Sequence, residues 1–243
     1  MPLADQPRSP ASNRLLDALP RSEYKRLLPE LKLVTMPFAE VLHEPGERIR
    51  HVYFPNDSIV SLLAEVTAHS PLEVGLIGNE GLAGISVFMG VDASPHRAVV
   101  QGLGTAMRLR ASVLRRESES VGPLHRLLHL YAHSLLTQVS RAAACNRFHM
   151  VDARLARWLL MTCDRLGRNE FHLTQDFISN MLGVRREGVN KAAGLLQQEG
   201  LINYSRGRIE ILDRVGLEAV SCECYRIIRN ESDGYLGKSW AFG

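Results

Sequence analysis

Residues 173–201, LTQDFISNMLGVRREGVNKAAGLLQQEGL, carry two apolar stripes of helical period, one on either side of Gly183. Ile178 and Leu182 lie ahead of that glycine, and Val184 and Val189 follow it at spacings that bury one face of each of two helices. Gly183 suits the tight turn between them because it lacks a Cβ, and small Ser179 lets the second helix cross closely. The pattern predicts a helix-turn-helix.

On the second helix Val189, Ala192, Ala193 and Leu196 form the inward stripe, which turns Glu187, Asn190, Lys191 and Gly194 outward, with Arg186 flanking the first turn. This outward set suits the edges of base pairs. Arginine matches the two acceptors of guanine, glutamate accepts from the amino group of cytosine, and lysine donates to guanine. Gly200 ends the helix; residues 201–204 and 208–211 then read as two short strands joined by Ser205-Arg206-Gly207. A helix-turn-helix followed by such a hairpin is a winged helix. Arg206 and Arg208 at its tip are placed to meet phosphates, which fixes register and adds salt-dependent affinity. The competing reading is a helical hairpin whose charges only face water.

The segment resembles the DNA-binding domain of the Crp/Fnr family of bacterial transcription regulators, with residues 183–187, GVRRE, at the entry to the recognition helix. The resemblance implies base contacts by Arg186, Glu187 and Lys191, the last without the bidentate fork of the more usual arginine. It also implies that Arg185 and Gly188 meet the phosphate backbone, and Thr174 and Asn190 join that expected backbone set with Arg206 and Arg208.

Upstream, residues 123–145 repeat Leu124, Leu128, Tyr131, Leu135, Gln138, Ala142 and Cys145 in alternating steps of four and three. That is a coiled-coil seam, read as the dimer interface of a long helix, with Gln138 fixing register; the alternative is a helix packed only on its own domain. His125, His129 and His133 share that helix, but no carboxylate or cysteine accompanies them at matching spacing, so they read as contacts and not as metal ligands. A second helix, 151–166, carries Leu155, Trp158, Leu159 and Thr162 on one face and opens the DNA-binding domain.

The first half reads as short helical turns at 15–19 and 22–28, followed by strands at 31–36, 40–44, 51–54, 59–64, 73–77 and 98–103. Glycine and other turn formers between them predict a compact antiparallel roll. Pro45-Gly46-Glu47 and Val52-Tyr53-Phe54-Pro55 resemble early strands of the cyclic-nucleotide-binding β-roll of the same family. The family's phosphate site has glycine–glutamate and arginine followed by a small hydroxyl residue, where this chain has Gly84-Ile85 and His96-Arg97-Ala98. A one-residue shift in a strand points the arginine to the opposite face. Gly84, Ile85, His96 and Arg97 therefore stand as an effector site of unassigned ligand, with neither a cyclic nucleotide nor another cofactor expected, and Gly75, Gly78, Gly81 and Gly84 read as turn glycines.

The fold class expected is α+β, with a jelly-roll-like antiparallel β-roll and short N-terminal helices over 1–120 and a dimerisation helix over 121–148. A winged helix-turn-helix over 149–230 and a loosely ordered tail over 231–243 complete it. A net charge of +3 is too slight to imply nucleic acid, but residues 174–208 hold five basic against three acidic side chains. The four cysteines, Cys145, Cys163, Cys222 and Cys224, form no CxxC pair, and none precedes residue 145 to hold the N-terminal iron–sulfur cluster of some Crp/Fnr proteins. They read as reduced thiols, with no metal expected. No apolar run approaches the roughly 18 residues of a membrane span, and the N-terminus, with Asp5, Arg8 and Pro10, lacks the apolar core of a secretion signal, so a cytoplasmic protein is expected. His51, Asp57 and Ser58 form a hydrolase-like grouping, but Asn56-Asp57-Ser58 is ordinary turn chemistry; no catalytic residue and no enzyme is expected. These readings converge on a homodimeric, sequence-specific DNA-binding regulator of a pseudo-palindromic operator, with RNA polymerase as a further partner. The alternative is an interaction module that kept the fold without DNA binding.

Overall fold

A computed structural model describes residues 13–65 and 71–237, so Asp5, Arg8 and Pro10 and the last part of the expected tail lie outside the described residues. The chain opens with α1 (Arg14–Asp17) and α2 (Arg21–Leu27). The Asn13 side chain caps α1 by accepting from Leu16 N and also donates to the carbonyls of Pro55 and Gly81, which ties the N-terminal turn to the roll.

The roll comprises β1 (Lys32–Met36), β2 (Val41–His43), β3 (His51–Pro55), β4 (Ile59–Ala64), β5 (Leu72–Ile77), β6 (Arg97–Gly102) and β7 (Gly104–Arg110). Two antiparallel sheets, ordered β1-β7-β3 and β2-β6-β4-β5, face each other across an apolar interior. That interior takes Met36 of β1, Val60 of β4, Val100 of β6 and Ala106 of β7, while the other side of the first sheet buries Val52 and Phe54 of β3 and Leu109 of β7 beneath the helices. The central strand β7 was not foreseen. Only Leu103 separates it from β6, so the strand expected at 98–103 corresponds to β6 alone and β7 has no counterpart in the sequence reading.

The helices that follow are α3 (Ala111–Ser118), α4 (Pro123–Phe148) and α5 (Val151–Leu166). Then come β8 (Glu170–His172), α6 (Gln175–Leu182), α7 (Arg186–Gln198), β9 (Ile202–Ser205), β10 (Arg208–Ile211), α8 (Arg214–Val220) and α9 (Cys224–Leu236). The expected loose tail from 231 is helical as far as Leu236, with Ser232 and Tyr235 buried. Tyr235 donates its hydroxyl to the Glu80 carbonyl at 2.5 Å, and this packing overrides the helix penalty of Gly234.

The seam predicted for dimerisation is covered within the single chain. Leu124, Leu128, Tyr131, Gln138 and Cys145 are buried and Leu135 and Ala142 partly so, against the roll and α9. Gln138 accepts from Leu76 N at 2.8 Å and donates to Leu76 O at 3.1 Å, satisfying backbone groups of the edge strand β5. Periodicity identifies a buried face but not what buries it, and here the partner is intramolecular. Helix α4 also runs close over the roll: a Cβ on Gly81 would lie 2.2 Å from the Tyr131 ring. On the opposite face of α4, Phe88 packs edge-on against His125 and His129, at 5.3 and 4.7 Å between ring centroids.

The roll and the C-terminal helices share one core, in which Ile59, Leu63 and Leu76 pack with Trp158, Leu159 and the helices beyond. Two polar stitches cross the same boundary. Trp158 Nε1 donates to Glu73 at 2.9 Å, and Arg165 pairs with Glu80 at 2.8 Å with both side chains more than nine-tenths buried.

Candidate nucleic-acid interface

Helix α6 starts because the Thr174 hydroxyl accepts from Phe177 N at 3.1 Å, satisfying one otherwise unpaired donor. It ends at Gly183 with φ +62°, where Gly183 N bonds to Asn180 O and Val184 N to Ser179 O. A Cβ at Gly183 would also stand 2.6 Å from Leu72 Cδ1, so this turn needs glycine both for its conformation and for its approach to β5. Ile178, Leu182, Val189, Ala192, Ala193 and Leu196 form a continuous buried face, as their spacing predicts.

The opposite face is exposed. Arg185, at the N-cap of α7, and Arg186, Glu187, Asn190 and Lys191 are exposed, Gly188 is partly covered, and nothing lies within 4 Å of a Cβ built on Gly194. Gln175 was not foreseen: its amide donates to Asn190 Oδ1 at 3.2 Å and accepts from Arg186 Nε at 3.4 Å. Asp176 lies 3.6 Å from Arg186 Nε. Both side chains of that pair are largely exposed, so the pair is weak and its release for another acceptor costs little. The Gln175–Asn190 link was hidden because it joins two helices fifteen residues apart, with no local pattern to announce it.

The wing forms as expected from β9 and β10, joined by a two-residue turn with Arg206 at φ 51° and Gly207 at φ 82°, the pair of positive values a hairpin twist favours. Strand β8 adds a third member on the far side of β10, and its Glu170 engages Arg208 at 2.7 Å. Arg206, exposed at the tip, makes no ion pair among the described residues. Tyr204 donates its hydroxyl to Leu173 O at 2.9 Å, bracing the wing against the start of α6.

The four residues expected at an effector site do not converge in this way. Gly84, at φ 102°, leads into one turn of 3-10 helix whose Ile85 is buried with Ile49 and Val52 in the roll core. Arg97 is taken up by Glu44 at 3.2 Å and Glu65 at 4.0 Å, and partial burial lowers the pKa of His96. No hydrogen bond or ion pair among the described residues joins Gly84 or Ile85 to His96 or Arg97. The hydrolase-like grouping is also committed elsewhere: Asp57 accepts from Thr105 N at 2.7 Å, and Ser58 donates to Thr105 O at 2.9 Å.

The cysteines are scattered in sequence but not in space. Cys145, Cys222 and Cys224 are buried together beside His149 at the far end of α4, while Cys163 lies apart on α5. Spacing gives no sign of this because Cys145 and Cys222 lie 77 residues apart in the chain.

Residues 153–220 match the family model of the Crp-like helix-turn-helix domain. No curated protein matches the chain by sequence. Among solved structures, the chain is similar to FixK2 from Bradyrhizobium japonicum, with a TM-score of 0.68 at 16% identity over 79% of this chain and 98% of that one. It is similar to a CRP-family transcriptional regulator from Thermus thermophilus, with a TM-score of 0.63 at 18% identity over 78% and 96%. It is also similar to the c-di-GMP responsive global regulator CLP of Xanthomonas campestris, with a TM-score of 0.63 at 17% identity over 79% and 99%.

Proposed function

From a chain that has the fold of the Crp/Fnr transcription regulators and carries a Crp-like helix-turn-helix domain over residues 153–220, we propose a DNA-binding regulator that reads sequence through α7. The observation that carries this reading is the exposed face of α7. Arg186, Glu187 and Lys191 are exposed, Arg186 held only through the exposed Gln175 and Asp176, on a helix whose other face is buried. Inserted in a major groove, arginine and lysine address guanine and glutamate addresses cytosine, while Thr174, Arg185, Gly188, Asn190, Arg206 and Arg208 border the groove and hold the phosphates. Arg206 is ready for that role as it stands, whereas Arg208 has first to leave Glu170.

A homodimer on a pseudo-palindromic operator belongs to the same reading, because two-fold DNA sites are matched by two-fold proteins. With the apolar seam of α4 covered by its own chain, the surface left to a second α4 is the outward stripe of His129, His133, Leu136, Ser140 and Ala143, on which Leu136 is 64% exposed. The roll is proposed to answer to something other than a cyclic nucleotide, because Arg97 already has two carboxylates where a phosphate would be needed.

The test is selection of bound fragments from random duplex DNA at fixed salt, comparing the intact protein with the Arg186→Ala/Glu187→Ala variant. Recovery of a two-fold-symmetric motif by the intact protein alone is expected. Equal recovery of a motif by both proteins would overturn readout through Arg186 and Glu187, and no motif from either would favour an interaction module over a DNA reader.

A further inference from the structure

We propose that Cys145, His149, Cys222 and Cys224 form a four-coordinate zinc site that fastens the C-terminal helix α9 to the end of α4. Their ligand atoms all lie within 4.8 Å of one another. Zinc–sulfur bonds of about 2.3 Å and zinc–nitrogen bonds of about 2.0 Å place the corners of a tetrahedron about 3.5 to 3.8 Å apart. The Sγ atoms of Cys145 and Cys222 are 3.5 Å apart, and Cys224 Sγ is 3.8 Å from His149 Nδ1. These separations fit one metal ion. A cubane cluster binds each thiolate to a different iron and needs a wider set.

Three further features agree with a single cation. The other ring nitrogen of His149, Nε2, lies 3.2 Å from the Glu223 carboxylate, the arrangement that fixes the imidazole tautomer and leaves Nδ1 for a metal. All three sulfurs are on buried residues, as in a closed structural site without an open position for substrate. Arg154 and Arg157 are buried beside this cluster, and neither pairs with a carboxylate among the described residues. Three thiolates and a neutral imidazole around Zn²⁺ carry one net negative charge, which supplies the missing counter-charge. On binding, each thiol gives its proton to solvent.

The geometry gives the site a position as well as a composition. Cys145 and His149 stand one turn apart at the end of the long helix, whereas Cys222 and Cys224 flank the junction of α8 and α9, 77 residues on from Cys145 in the case of Cys222. A metal there fastens α9 to the end of α4, and none of its four ligands lies on α6 or α7. Loss of the metal would loosen α9 without touching the residues that face DNA.

The test uses the full-length chain purified under reducing, anaerobic conditions, with Zn²⁺ and then Co²⁺ as probes. One zinc per chain is expected, and Co²⁺ replacing it should give thiolate-to-cobalt charge transfer and the strong visible bands of tetrahedral coordination. Cys163→Ser should retain the site, Cys224→Ser should abolish stoichiometric binding, and Glu223→Gln should weaken affinity about ten- to a hundredfold. Should the cysteine variants fail to fold, the cobalt spectrum of the intact chain decides alone. Substoichiometric zinc, cobalt bound without thiolate charge transfer, iron and sulfide in place of zinc, or a Cys145–Cys222 disulfide would each overturn the proposal.

Discussion

Arg165→Met should cost about 3–5 kcal/mol of folding stability, because breaking a buried ion pair from one side leaves an uncompensated charge. Arg165 Nη2 and Nε lie 2.8 and 2.9 Å from the same oxygen of Glu80, and the two side chains are 7% and 8% exposed. Without the guanidinium, Glu80 keeps only the Gly78 amide among the described residues, at 3.1 Å, while remaining out of water. Methionine retains most of the aliphatic stem that lies across Gly78, where a Cβ would stand 2.4 Å from Arg165 Cγ, so little of the loss comes from a cavity. The check is urea unfolding followed by circular dichroism, run as a double-mutant cycle with Glu80→Gln. The double variant should be less destabilised than the sum of the singles, with a coupling of about 2 kcal/mol. A cost below about 1 kcal/mol for Arg165→Met, or simple additivity, would refute the claim that this pair holds the DNA-binding domain against the roll.

Burial raises the pKa of Glu73 from an ordinary 4.5 to about 7, against the opposing hydrogen bonds from Ser61 and Trp158. The folded state therefore holds this proton more tightly than the unfolded chain. Its contribution is complete below about pH 4.5 and lost as pH rises through 7, a fall of at most about 3 kcal/mol that Glu73→Gln should flatten in urea midpoints taken at pH 5 and 7.5. Gly183→Ala should cost about 1–3 kcal/mol through its left-handed backbone and its clash with Leu72. Adding Leu72→Ala should recover the clash but not the backbone strain, and equal stability of Gly183→Ala and the parent would contradict the geometry.

The helix-turn-helix was legible because its two stripes and its turn at Gly183 all lie within thirty residues and agree with one another. Helix α5 was found to its ends for the same reason. Strand β7 was lost where Gly102-Leu103-Gly104 turns the chain after a single intervening residue and the arginines that follow mask an alternating strand. The stripe on α4 was seen correctly as buried, but its partner is the chain itself, since nothing in a heptad distinguishes a second copy from Leu76 and α9. Long-range chemistry was the least visible. The Cys145–His149–Cys222–Cys224 cluster, the Glu80–Arg165 pair and the ties of Arg97 to Glu44 and Glu65 join residues whose sequence neighbours give no hint of the meeting.

The central claim, that α7 reads base edges, is tested most directly by titrating the intact protein and Arg186→Ala against three duplexes at one salt concentration. These are the selected motif, the same motif with its G·C pairs exchanged, and a random sequence. The account predicts that the intact protein prefers the motif, and that Arg186→Ala loses about 1–3 kcal/mol there, roughly a ten- to hundredfold weakening, with little change on the random duplex. Equal losses on all three duplexes would contradict it, reducing Arg186 to one more positive charge near a phosphate.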